Sequence, residues 1–133
     1  MREIEYRGKR IDNGEWVHAT LFQVGELQNP FIMLKNRLGE SYEVDPTTVG
    51  EFTGLRDSKR TEECPEGQKI YEGDVLQSIT TRHYVVKWNT RRVQFEATSS
   101  QCGYIPEHVW CRSEIVGTIY ENLELLEGMN GND

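Results

Sequence analysis

The chain has 133 residues, enough for one compact domain or two small lobes. Apolar residues make up 36% and aromatics 10%, which suits thin β-layers packed around Trp, Tyr and Phe better than one thick core. The net charge is −7: residues 1–60 carry 9 basic and 10 acidic side chains, and residues 61–133 carry 6 and 12. Such a field works against sequence-independent binding to nucleic acid, whose affinity comes largely from phosphate neutralisation.

Other classes fall away early. No run reaches the roughly 18 to 20 apolar residues that a membrane crossing needs. The opening Met1-Arg2-Glu3-Ile4-Glu5 lacks the apolar stretch of a signal peptide. Cys64, Cys102 and Cys111 are odd in number and without framework spacing, so a reducing, cytoplasmic setting is expected. Neither a Walker pattern nor a dinucleotide fingerprint is present.

Helical periodicity is nearly absent, and short alternating or β-branched runs dominate. Glu3–Ile11 forms the first strand unit, Asp12-Asn13-Gly14-Glu15 a hairpin turn, and Trp16–Val24 the returning strand. Phe31–Lys35 and Ser41–Val44 flank a second turn at Asn36–Glu40. Asp45-Pro46-Thr47-Thr48 breaks the pattern, and Val49–Leu55 resumes it. The charged, turn-rich stretch before Gln68, with Pro65 and Gly67, has little to bury and reads as an exposed loop. Beyond it come Lys69–Thr80, Tyr84–Trp88, Val93–Thr98 and Glu114–Tyr120, with one helical turn or a cap at Glu121–Leu126. Short strands at this spacing imply a small barrel or sandwich. The expected organisation is a β-rich lobe over 1–57, a loop over 58–68, a barrel over 69–126 and a disordered tail over 127–133. Trp16, Phe22, Phe52, Trp88, Phe95 and Ile119 are the expected core contributors.

Four segments, in order, resemble the YopX family of phage and prophage proteins. They are Arg2-Glu3-Ile4-Glu5-Tyr6-Arg7-Gly8, the block from Val44 to Asp57, Ile70-Tyr71-Glu72-Gly73-Asp74-Val75, and the close from Val116 to Leu126. The resemblance implies a mainly β fold, with an N-terminal β-rich lobe and a C-terminal SH3-like small β-barrel, encoded by a bacterial virus or its integrated remnant. It implies no established activity, so it assigns no catalytic residue. The sequence departs from the family pattern in its longer, Cys- and Glu-bearing loop after Asp57, in Thr118 where Asn is common, and in Leu123 where Pro is common.

Candidate chemistry is sparse. Cys102, His108 and Cys111 have metal-ligand character, but a structural zinc site needs four ligands and the second pair is missing, so no metal or other cofactor is expected. None of His18, His83 and His108 stands in a nucleophile context, and no catalytic residue is expected. Glu72 and Asp74 would share a face of a regular strand. The favoured reading makes Gly73 and Asp74 a structural turn whose carboxylate accepts from backbone N–H groups one or two residues on.

The segment Arg82–Phe95 is the one basic island in the acidic half, with Arg82, Lys87, Arg91 and Arg92. As a hairpin it places Tyr84, Val86 and Trp88 on one face, and Val93 and Phe95 continue that apolar face. Its basic residues fit edge protection, or a grip on phosphate or an acidic partner. The expected function is a non-catalytic binding module for a host or phage macromolecule, with a protein partner favoured. Its surface would lie around Tyr71, Arg82, Tyr84, Lys87, Arg91, Arg92 and Tyr104. The alternatives are a nucleic-acid module using residues 82–92, or a small enzyme. Oligomerisation through strand edges is compatible with each.

Overall fold

The computed structural model describes residues 4–25, 31–36, 38–78, 82–99, 103–105 and 107–122. The tail over 127–133, Cys102, and Leu123–Leu126 of the expected cap lie outside the described residues. The chain divides into two units, Met1–Phe52 and Thr53–Asp133.

The first unit is built from short antiparallel strands. β1 (Tyr6–Lys9) pairs with β2 (Trp16–Ala19) in the register Tyr6 to Ala19 and Lys9 to Trp16. On its other side β1 meets the start of β6 (Gly50–Arg56) at Gly50 and Glu51. A three-stranded sheet orders β3 (Leu21–Val24), β4 (Ile32–Lys35) and β5 (Ser41–Val44), with β4 central. Ala19, Leu34 and Val44 form the buried cluster, and Tyr6, Val17, Ile32 and Val49 pack on it.

Trp16–Val24, expected as one strand, is two. A bend at Thr20 sends β2 to β1 and β3 to β4, so the same run serves two sheets. Residue periodicity continues through such a bend, which leaves no signal in the sequence. Phe22 is consequently on an edge strand and 45% exposed rather than in the core, with its ring edge-on to Tyr6 at 4.9 Å. Asp45-Pro46-Thr47-Thr48 forms a single 3-10 turn. The Asp45 carboxylate accepts from the Thr47 N–H at 3.0 Å, and Thr48 Oγ1 accepts from the Lys9 N–H at 2.9 Å, which anchors the turn to β1.

The second unit contains the rest of β6, beside β7 (Lys69–Tyr71), and a five-stranded antiparallel sheet. That sheet runs β11 (Gly103–Ile105), β10 (Gln94–Ser99), β9 (His83–Asn89), β8 (Asp74–Gln77) and β12 (Glu114–Thr118). No pairing of β11 with β12 closes it into a barrel among the described residues. One face of the sheet buries Leu76, Tyr84, Val86, Phe95 and Ala97 with Ile70 and Trp110, the last residue of the one-turn helix α1 (Glu107–Trp110). The opposite face buries Val75 and Val85, with Val116 and Ile119 packed against them. Burial on both faces explains why β8 and β9 read as apolar runs instead of alternating.

The loop after β6 is organised by Asp57, which is 1% exposed. Its Oδ1 accepts from the N–H groups of Lys59 and Gln68, and its Oδ2 accepts from the N–H of Ile115 at the head of β12. Gly67 closes the loop with φ of +102°. A Cβ there would stand 2.2 Å from the Asp57 carbonyl oxygen, so glycine is required by both backbone conformation and space.

Candidate functional site

Ile70–Val75, the most recognisable stretch of the sequence, is a sheet-switching turn. β7 ends at Tyr71, and β8 begins at Asp74 in the other sheet. The Gly73 N–H donates to the Val86 carbonyl at 2.8 Å, and the Gly73 carbonyl accepts from the Ile119 N–H at 3.0 Å. Gly73 has φ of +96°, and a Cβ on it would meet the Tyr120 ring at 2.8 Å. The Asp74 carboxylate is buried and accepts from the Tyr71 N–H at 2.8 Å, three residues back rather than one or two residues on. Glu72 lies in the turn itself, so the regular strand that would align it with Asp74 does not exist.

The expected contact surface separates into buried and exposed parts. Tyr71 and Tyr84 are buried, because β7 and β9 turn these side chains inward, and they offer no contact area. Arg82, Lys87, Arg91 and Arg92 are exposed. β11 pairs Tyr104 with Thr98 through the backbone, and the Tyr104 side chain lies outside the described residues. The His108 side chain lies outside them as well, while Cys111 is exposed and Cys64 half-buried. Among the described residues no group of three or more potential ligands gathers at a metal-binding distance. No helix among them is long and apolar enough to cross a membrane.

The β9–β10 hairpin brings Lys87, Arg91 and Arg92 toward its tip, while Arg82 precedes β9 at the opposite end. β8 pairs with β9 only at His83–Val85, whereas β10 pairs with β9 as far as Asn89 and Gln94. The distal part is therefore a two-stranded ribbon. β9 is an interior strand only where β8 covers it; Lys87 lies on the uncovered ribbon, where a cation also protects an open strand edge, and Arg91 and Arg92 sit in the turn beyond it. Trp88, expected in the core, is 40% exposed because no third strand covers it there; its ring stands edge-on to Phe95 at 5.0 Å. Val93, expected to continue the apolar face, sits in the turn at 72% exposure with φ of +54°.

Glu96 holds this tip together. It is buried, and its Oε1 accepts from Asn89 Nδ2 at 2.6 Å. Its Oε2 accepts from Arg92 Nη1 at 2.8 Å and from Gln94 Nε2 at 3.2 Å. The Asn89 hydrogen bond does most to hold the Glu96 carboxyl below the usual range. Burial opposes that shift, and the bonds from Gln94 and Arg92 reinforce it. Asn89 Oδ1 in turn accepts from the N–H groups of Arg91 and Arg92, fixing the turn backbone. In the sequence Glu96 is simply the first acidic residue after the basic run. Its cross-strand partners become visible only once the register pairs Lys87 with Glu96 and Asn89 with Gln94.

The ribbon thus presents Trp88 and Val93 as apolar contacts and Lys87 and Arg91 as cations on a braced frame. That arrangement suits recognition, since Trp and Arg dominate the energetics of protein interfaces, and it converges no set of titratable groups on a reacting atom. A comparison with curated proteins finds no match. The match to the family described as YopX protein runs over residues 5–127, taking in both units and the hairpin, and the chain belongs to the YopX family.

Proposed function

We propose that the protein is a non-catalytic accessory protein of a bacterial virus or its integrated remnant. In this reading it acts in the host cytoplasm and uses the β9–β10 tip to bind a protein partner through an acidic, partly apolar segment. The observation that supports this most is Val93. A β-branched residue in the left-handed region is a genuine outlier, of a kind costing on the order of 1–3 kcal/mol, where glycine or asparagine would be relaxed. Here that conformation turns an apolar side chain outward at the tip of the ribbon that carries Trp88 and Arg91, and the hydrogen bonds of Glu96 and Asn89 brace the turn. Strain of this sort clusters at functional sites. The five-stranded order, with β12 returning beside β8 after a single helical turn, supports the SH3-like reading of the second unit.

The test is affinity capture from infected host cells with nuclease present, comparing the wild type with Trp88→Ala and Arg91→Glu. One stoichiometric protein partner, lost with both variants while their melting temperatures hold, is the expected result. Capture that both variants leave unchanged, or that nuclease abolishes, would overturn the reading.

A further inference from the structure

We propose that the β3 edge of the first unit is the surface through which two copies of this chain associate, independently of the hairpin. Among the described residues β3 is bonded to β4 alone. All four of its residues are exposed, with Leu21 at 61%, Phe22 at 45% and Val24 at 60%. Edge strands are ordinarily blunted by charge, proline or a bulge. Leu21-Phe22-Gln23-Val24 has none of these, and its register with β4 is unbroken from Leu21–Lys35 to Val24–Ile32.

The directions of the backbone groups follow from one bond. Gly25 N–H donates to the Phe31 carbonyl at 2.7 Å, which makes Gly25 and Phe31 a hydrogen-bonded pair. Bonded and non-bonded pairs alternate along an antiparallel ladder, so Leu21 and Gln23 also face β4, while the N–H and C=O of Phe22 and Val24 point outward. A second β3 laid antiparallel about a two-fold axis at Gln23 pairs Phe22 with the other copy's Val24, and the reverse. Both outward residues are then used in both copies, for about four backbone hydrogen bonds. The side chains agree with this register. Phe22 and Val24 lie opposite Leu34 and Ile32, so they share the face of the sheet that carries the core. Pairing sets them beside their counterparts and extends that apolar layer from one copy into the next.

Charge makes this edge the place where a second copy can dock. Two chains of net charge −7 repel through most of their surfaces, and an isologous contact sets each side chain near its own kind. Thr20–Gly25 contains no ionisable side chain, so identical copies meet there without like charges opposed. Gln23 falls directly opposite Gln23 of the second copy across the axis.

That self-opposition supplies the test. Sedimentation equilibrium of the wild-type chain shows reversible dimers. Gln23→Lys and Gln23→Glu, made at an exposed position and checked by unchanged melting temperatures, each weaken association by about fivefold or more, because like charges then face each other. An equimolar mixture of the two variants restores it, since Lys then faces Glu. A wild-type chain that stays monomeric up to its solubility limit would overturn the proposal. So would dimers that neither charge weakens, or a mixture no tighter than its components.

Discussion

At the residue scale, the groups that organise this protein are carboxylates answering backbone N–H groups. Asp57 accepts from Lys59, Gln68 and Ile115, and so joins the end of β6, the loop and the start of β12 through one side chain. Asp57→Ala leaves those three donors without their acceptor in a site closed to solvent. Hydrogen bonds to a charged group contribute roughly 1.5–3 kcal/mol, and part of the loss is recovered as water enters, so a destabilisation of about 3 kcal/mol is expected in chemical denaturation. A loss below about 0.5 kcal/mol would place the loop's stability elsewhere. The position was legible as part of a family block but its role was not. Two of the three donors are 11 and 58 residues away in sequence, beyond the reach of any local pattern.

At the element scale, the hairpin shows how a pattern can be read correctly and its consequence still missed. The strands β9 and β10 follow from the β-branched and aromatic runs on either side of Asn89–Arg92. Period-two alternation then put Trp88 and Val93 inside, because it assumes that every strand is covered along its whole length. β8 covers only the proximal half of β9, and sheet extent is a tertiary property. The same limit hid the Thr20 bend and the burial of Trp110 from a one-turn helix. The tip's dependence on Glu96 gives this element a pH signature. A folded-state carboxyl held below its unfolded value stabilises the folded form above the unfolded-state range, and that contribution disappears as pH falls through the depressed value. Wild type therefore loses hairpin stability as the pH falls through and below the ordinary carboxylate range. Glu96→Gln, which cannot titrate, loses less over the same interval. Urea midpoints of both proteins, followed by Trp fluorescence, measure the difference; parallel pH profiles would remove Glu96 as the source.

At the scale of the whole molecule, the decisive quantity is the contrast between an acidic chain and a basic tip. The tip has Lys87, Arg91 and Arg92 against one carboxylate, Glu96, which already holds Arg92 at 2.8 Å. Those cations are too few to release many counterions from a duplex, and the surrounding net charge of −7 raises the cost of approach. In the proposed reading an acidic protein segment needs only two or three charge-assisted contacts beside an apolar anchor, a part that the exposed Trp88 and Val93 would fill. The expectation is that fluorescence anisotropy detects no binding to duplex or single-stranded DNA at about 0.15 M salt, where charges farther apart than roughly 8 Å are screened. Lowering the salt tests the assignment more severely. Binding that emerges with a steep logarithmic salt slope, and whose slope falls by about one for each of Arg91→Glu and Arg92→Glu, would transfer the hairpin to nucleic acid. Weak binding that persists in both variants would be diffuse charge rather than a site, and would leave the tip available to the protein partner that its exposed Trp88 and outward-turned Val93 favour.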